Sequence, residues 1–136
     1  MDLHPLRLSP GDDLRRSIEA CLARAGRRAG FVVSGIGSLV EARIRYAGQA
    51  DEDRIEGPLE IIGLAGSVSP DGAHLHMSVS TAAGRVIGGH AGYGNVVRTT
   101  AEILLAFLPG WRMSRELDPA TGYRELVVRR APQGDD

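Results

Sequence analysis

Between Leu14 and Ala25 the apolar positions follow helical spacing, and from Phe31 onward they switch to strand-like alternation. Leu14, Ile18, Cys21, Leu22 and Ala25 fall on one helix face. Asp12 or Asp13 supplies the cap, and the spacing predicts a helix to about Arg28, ended by Gly26 and Gly30. Arg24, Arg27 and Arg28 crowd that end, where cations complement the helix dipole. Ahead of it, residues 1–11, punctuated by Pro5, Pro10 and Gly11, read as an extended lead.

Phe31-Val32-Val33 opens a buried strand, broken by Ser34-Gly35-Ile36-Gly37-Ser38. Leu39 to Tyr46 is a second strand, with Val40, Ala42, Ile44 and Tyr46 on one side and Glu41, Arg43 and Arg45 on the other. The acidic stretch Gly48 to Gly57 reads as a loop, and Leu59 to Val68 as a third strand. Ser69-Pro70-Asp71-Gly72 is a tight turn. Ile103 to Leu108 is apolar throughout, a buried strand or a helix. Trp111 to Leu117 and Tyr123 to Arg130 form a hairpin across Asp118-Pro119-Ala120-Thr121-Gly122, and Gln133 to Asp136 is a frayed tail. These elements predict an α+β fold. It is a single compact domain, 1–136, with a mostly antiparallel, curled β-sheet and one or two flanking helices. So many strands against one helix leave a sheet face to be covered by curling or by a partner subunit, and the partner is the favoured solution.

The strand entered from the tight turn carries the candidate chemistry. His74, His76, Ser78 and Ser80 share one face, and Leu75, Met77 and Val79 the other. Residues two apart on a strand sit roughly 7 Å from each other, so both rings can reach one ion. The next turn decides whether His90 joins them. Ala82-Ala83 lacks the positive-φ residues of a two-residue loop, whereas Ala82-Ala83-Gly84 fits a type I turn closed by a left-handed glycine. Thr81 then faces Arg85, and His76 lies directly across from His90. A two-residue loop would instead set His90 opposite Leu75, on the apolar side.

Three neutral imidazoles on one face suit zinc or another divalent transition metal, with a fourth position for water, substrate or a group from another subunit. The plainer alternative is three histidines satisfied by hydrogen bonds on a polar face. Gly88 and Gly89 admit close approach of another chain or a ligand, and Gly92-Tyr93-Gly94-Asn95 reads as a flexible rim with Tyr93 as a ligand contact. Glu102, beside the apolar run, either pairs with Arg98 or serves as an acid or base beside the metal. Arg43 and Arg45 could receive an anion, but a solvated face is the plainer reading of them.

Composition narrows the class further. All sixteen basic residues are arginine, yet the net charge is −1, so any nucleic-acid contact needs a local patch. One cysteine excludes a disulfide framework and a cysteine-rich zinc site. No apolar run approaches a membrane span, and the polar start is no signal peptide, which makes the cytoplasm the expected location. No nucleophile motif, phosphate-binding glycine loop or dinucleotide fingerprint appears.

Gly35-Ile36-Gly37-Ser38, Glu60-Ile61-Ile62-Gly63-Leu64-Ala65-Gly66, the run from His74 to Ser80, the run from Gly84 to His90 and Thr100-Ala101-Glu102 together resemble the plants-and-prokaryotes conserved (PPC) domain. Asp118 to Tyr123 fits the same family, so the likeness spans nearly the whole chain. The resemblance implies an antiparallel sheet flanked by helices and a homotrimer. It also implies a free-standing prokaryotic member, the branch that keeps the His-x-His and Gly-Gly-His pattern. Plant members carry Arg-Gly-Arg-Pro-like tracts that enter the minor groove. This sequence has none, and Gly26-Arg27-Arg28-Ala29-Gly30 is a poor substitute, so the family's DNA association transfers weakly. The expectation is a homotrimeric binding or regulatory module with a His74-His76-His90 metal site. The alternative is a metal-dependent hydrolase or lyase on a small polar substrate.

Overall fold

The computed structural model describes residues 1–132, and the expected frayed tail at 133–136 lies outside the described residues. The chain runs β1 (Asp2–Leu8), α1 (Leu14–Arg24), β2 (Gly30–Arg45), β3 (Asp53–Ser69), β4 (Gly72–Thr81), β5 (Val86–Ala91), β6 (Val96–Phe107), β7 (Trp111–Leu117) and β8 (Arg124–Arg130). Helix α1 starts where Asp13 caps it: one carboxylate oxygen accepts from Arg16 N at 3.0 Å, and the other from Gly94 N at 2.7 Å. It ends earlier than expected. Gly26, at φ +64°, turns the chain so that its N–H bonds Ala23 O and Arg27 N bonds Leu22 O. The dipole therefore involves Arg24 alone, while Arg27 lies past the helix and pairs with Asp2 at 2.6 Å.

Six strands form one antiparallel sheet in the order β1-β6-β2-β3-β4-β5, and β7-β8 pair separately. The extended lead is in fact a full edge strand, β1, in register with β6 from Asp2↔Phe107 to Leu8↔Ala101. The apolar run after Ile103 is the strand β6, buried between β1 and β2. The break expected at residues 34–38 is absent, and β2 is a single strand of 16 residues. Its glycines do not end it because it absorbs the irregularity as bulges, with register shifts at Val32/Ser34, Gly37/Leu39 and Leu39/Glu41. The loop expected over 48–57 is shorter, since β3 already begins at Asp53.

Those bulges change which side chains face inward. Val40 was placed with Ala42 and Ile44, yet it is 46% exposed while both of those are fully buried. It sits in the register shift between Leu39 and Glu41. Val33 and Ile62 are exposed at shifts of the same kind. The inner face is filled by Leu14, Ile18, Cys21 and Leu22 of the helix against Leu39, Ile44, Leu59, Leu75, Val79 and Leu105. Cys21 is buried there as a small apolar residue. The fold class matches the expectation, with one helix among the described residues.

The sheet curls far enough that its edge strand β5 returns to the far end of β2, pairing Ile44↔Ala91 and Arg45↔His90. Four strands thus close on themselves at one end. The hairpin β7-β8 is tied to this end: Met113 N bonds Arg28 O at 3.1 Å, Arg115 N bonds Asp71 Oδ2 at 2.8 Å, and Arg115 Nη2 donates to Ser67 Oγ at 2.8 Å.

Candidate metal centre

The turn after β4 has the predicted geometry. Gly84 is left-handed at φ +77°, Gly84 N bonds Thr81 O at 2.8 Å, and Thr81 N bonds Arg85 O at 2.9 Å. The three-residue loop sets the register, and His76 lies directly across from His90. His74 stands beside Ser67 on the other side of β4.

The three imidazoles meet. His74 Nε2 is 3.1 Å from His90 Nδ1 and 3.2 Å from His76 Nε2, and one ligand atom from each ring lies within 4.8 Å of the others. The His74 and His90 rings stack, with centroids 5.1 Å apart and planes 3° apart, and His76 stands edge-on to both. Two nitrogens on a tetrahedral zinc, each about 2.0–2.1 Å from it, are separated by about 3.3–3.4 Å. The His74–His90 and His74–His76 spacings are close to that, and the third pair lies within 4.8 Å. Protons alone satisfy this cluster poorly. An imidazole nitrogen offers either one N–H or one lone pair in the ring plane. His74 Nε2 faces two nitrogens and can make a good hydrogen bond to only one of them while the rings are neutral. A cation between the rings removes the conflict, so the donor set fits a late first-row ion.

Electrostatics favour the neutral, ligating form. Burial pushes His74 below the ordinary histidine value, with Arg115 and then the neighbouring rings adding repulsion, against an opposing pull from Glu125. His90 is lowered by burial, then by Arg45 and His76. A folded value below the unfolded one means the unfolded chain binds more protons as acid is added. The metal-free protein is therefore expected to lose stability as pH falls below the unfolded value of about 6.5. Thermal unfolding at about pH 7.5 and about pH 5.5 checks this, since few carboxylates titrate in that window. Equal midpoints would contradict neutral, desolvated rings.

The glycines before His90 answer to neighbouring strands. A Cβ on Gly89 would lie 2.5 Å from Arg45 O and 2.9 Å from Ile44 Cγ2, and one on Gly88 would lie 2.9 Å from Met77 O. The close approach expected there is made by this chain's own β2 and β4. Gly89 is what lets β2 close against β5 and hold His90 in place.

The expected rim is pinned rather than free. Tyr93 donates to both oxygens of Glu19 at 3.0 Å, and Arg15 and Arg16 stack on its ring at 4.2 and 4.7 Å. Its hydroxyl is thus engaged with the helix. Asn95, fully buried, accepts from Arg43 N at 2.9 Å and donates to Gly92 O at 2.8 Å. Glu102 is exposed on β6, across from Arg7 and Ile36. It is neither grouped with the three histidines nor part of the cavity lining beside them.

What the sequence reading missed is the surround. His74 and His90 help to line a cavity of about 910 Å³ together with Arg45 from β2 and Arg115, Tyr123, Arg124 and Glu125 from the hairpin. The alternation that put Arg43 and Arg45 on one strand face was the available signal for Arg45, whereas its pairing with His90 comes from the closure of β5 on β2. Nothing local in the sequence placed the hairpin there.

Comparison with known proteins agrees with this architecture. The family model of the Plants and Prokaryotes Conserved (PCC) domain, the PPC domain named above, matches residues 1–109. A bifunctional protein GlmU from Synechococcus is 46% identical over 129 residues, covering 95% of this chain and 20% of that protein. The chain thus spans about a fifth of the length of the curated relatives it matches. A hypothetical protein from Salmonella cholerae-suis superposes with a TM-score of 0.92 at 35% identity, covering 95% of this chain and 94% of that one. A metal-containing protein from Archaeoglobus fulgidus gives 0.79 at 31% identity, covering 93% and 94%. A candidate DNA-binding protein from Bacteroides thetaiotaomicron gives 0.82 at 20% identity, covering 92% and 91%, a likeness of fold alone.

Proposed function

The chain belongs to the Plants and Prokaryotes Conserved domain family, and from that premise we propose that it is a homotrimeric, cytoplasmic binding module with zinc or a similar divalent ion on His74, His76 and His90. The observation that carries the metal is the facing of His74 Nε2 toward two ring nitrogens at once. The metal-containing relative from Archaeoglobus fulgidus supports it. When bound, such an ion is a Lewis acid and brings a water at its open position toward a pKa near 7. The chain's own part is to keep two of the rings neutral, hold them in register across β4 and β5, and leave one side open to the cavity.

Assembly is supported by the uncovered sheet. Val33, Ile36, Val40 and Ile62 are each about half exposed on β2 and β3. Burying such side chains is worth about 25 cal/mol per Å², so a second copy is a natural cover. A second reading, a metal-assisted hydrolase or lyase, draws on the cavity beside the histidines. DNA association rests on the fold-level likeness to the Bacteroides protein and needs a local arginine patch, given the net charge of −1.

Metal analysis joined to light scattering tests the proposal. The expected result is about one late first-row ion per chain in a particle three chains in mass. A metal-free monomer would overturn both halves. On the same sample, filter binding of duplex DNA that stays absent at low salt would end the DNA reading.

A further inference from the structure

We infer that the cavity beside the histidines binds a small oxyanion-bearing molecule, a phosphate ester or a carboxylate. The guanidiniums of Arg45 and Arg115 grip it, and one oxygen points to the position framed by His74, His76 and His90. Only that last contact rests on the metal reading above. Arg45 is paired in register with His90, and Arg115 is tied to Ser67, which is paired in register with His74. The two cations therefore flank the imidazoles from opposite sides.

Neither guanidinium is consumed by the protein. Arg45 spends one N–H on Gln49 O at 3.1 Å, and Arg115 spends one on Ser67 Oγ at 2.8 Å. A guanidinium has five N–H donors in a rigid fork, matched to two oxygens of a carboxylate or phosphate. No carboxylate among the described residues forms an ion pair with either one.

Two of the acidic groups on the same wall have other partners: Asp71 accepts the backbone N–H of Arg115 at 2.8 Å, and Glu125 accepts from Thr121 Oγ1 at 3.0 Å. Glu52 lies over Gly92 and leaves its carboxylate on the wall as an opposing charge. Arg124 donates to Arg115 O at 2.5 Å and adds a third positive charge. Arg45 and Arg115 are half-buried and Arg124 is exposed, so an entering anion meets guanidinium N–H groups that no carboxylate among the described residues holds in an ion pair. A volume of about 910 Å³ exceeds what inorganic phosphate fills and lies in the range of small-molecule sites.

Calorimetric titration of the protein as isolated, with its metal content measured on the same sample, tests the site. Separate arms use inorganic phosphate, glycerol 3-phosphate and succinate, with glycerol as the neutral control. At least one oxyanion is expected to bind and glycerol not to, and the tighter arm identifies the source as phosphate or carboxylate. Arg115→Gln is expected to weaken that arm by about tenfold or more with metal content unchanged. Arg45→Gln, which leaves the Arg115–Ser67 bond in place, is expected to do the same. No saturable oxyanion binding, or unchanged affinity in both variants, overturns the inference. A sample without metal that still binds an oxyanion through these arginines keeps the anion site and rejects only the metal contact. A metal-loaded sample that binds none rejects the anion site and leaves the metal reading standing.

Discussion

His74→Ala is expected to weaken metal binding by about a hundredfold or more and to remove most of the thermal stabilisation that metal confers. His74 is the ring that touches both others, at 3.1 and 3.2 Å, so its loss leaves only the cross-strand pair His76 and His90. Removing groups that merely orient a ligand costs about 10–100-fold in affinity, and removing a ligand itself costs more than that. At a free metal concentration of about 1,000 times the dissociation constant, the intact site gains about 4 kcal/mol of stability. A hundredfold weaker site gains only about 1.4 kcal/mol under the same conditions. The difference corresponds to a midpoint lower by roughly 10 °C in the presence of metal. Differential scanning calorimetry with and without added zinc measures it. The metal-free midpoints should nearly coincide, because His74 lies outside the hydrophobic core. His76→Ala, at an exposed position, serves as the second variant. Equal metal affinity in wild type and both variants would reject the three-histidine site.

Gly89→Ala is expected to damage stability and metal binding together while leaving every histidine in the chain. The added Cβ would sit 2.5 Å from Arg45 O, a backbone atom held in the β2–β5 pairing. It cannot swing aside as a side chain could, so β5 must separate from β2 or the ladder must shift. Overpacking of this kind costs on the order of 1–3 kcal/mol before lost hydrogen bonds are counted. A midpoint lower by roughly 10 °C follows, with weakened metal affinity because His90 loses its fixed position. Gly63→Ala is the control, since a Cβ there meets only Ser78 Oγ at 3.4 Å. Wild-type behaviour of Gly89→Ala would show that closure of β2 on β5 does not position the site.

The two substitutions probe different ranges of information along the chain. His74 and His76 share a face because a strand alternates, and His90 joins them because Ala82-Ala83-Gly84 admits only one short loop. Both causes act within 17 residues, so the register of the histidines could be read directly from the sequence. The helix face from Leu14 to Leu22 and the final hairpin were legible for the same reason. The continuity of β2 was not. Glycines that end a strand and glycines that accommodate a bulge look alike in sequence, and only the partner strands β3 and β6 decide between them.

What the tertiary structure alone decided is the setting of the three rings. Gly89 was legible as a point of close approach, but the strand that approaches is β2, some 45 residues earlier. The Tyr93 hydroxyl is engaged by α1 through Glu19, and Glu102 is not grouped with the three histidines. Arg115 became a neighbour of His74 when the hairpin fastened to Asp71 and Ser67. Each of these outcomes sums many weak, long-range contacts, and no local pattern records that sum. Backbone geometry within a hairpin is set by the residues of that hairpin, and so the sequence determined that three imidazoles meet. Which cations and walls surround them depends on how distant strands close, and only the folded sheet decided that.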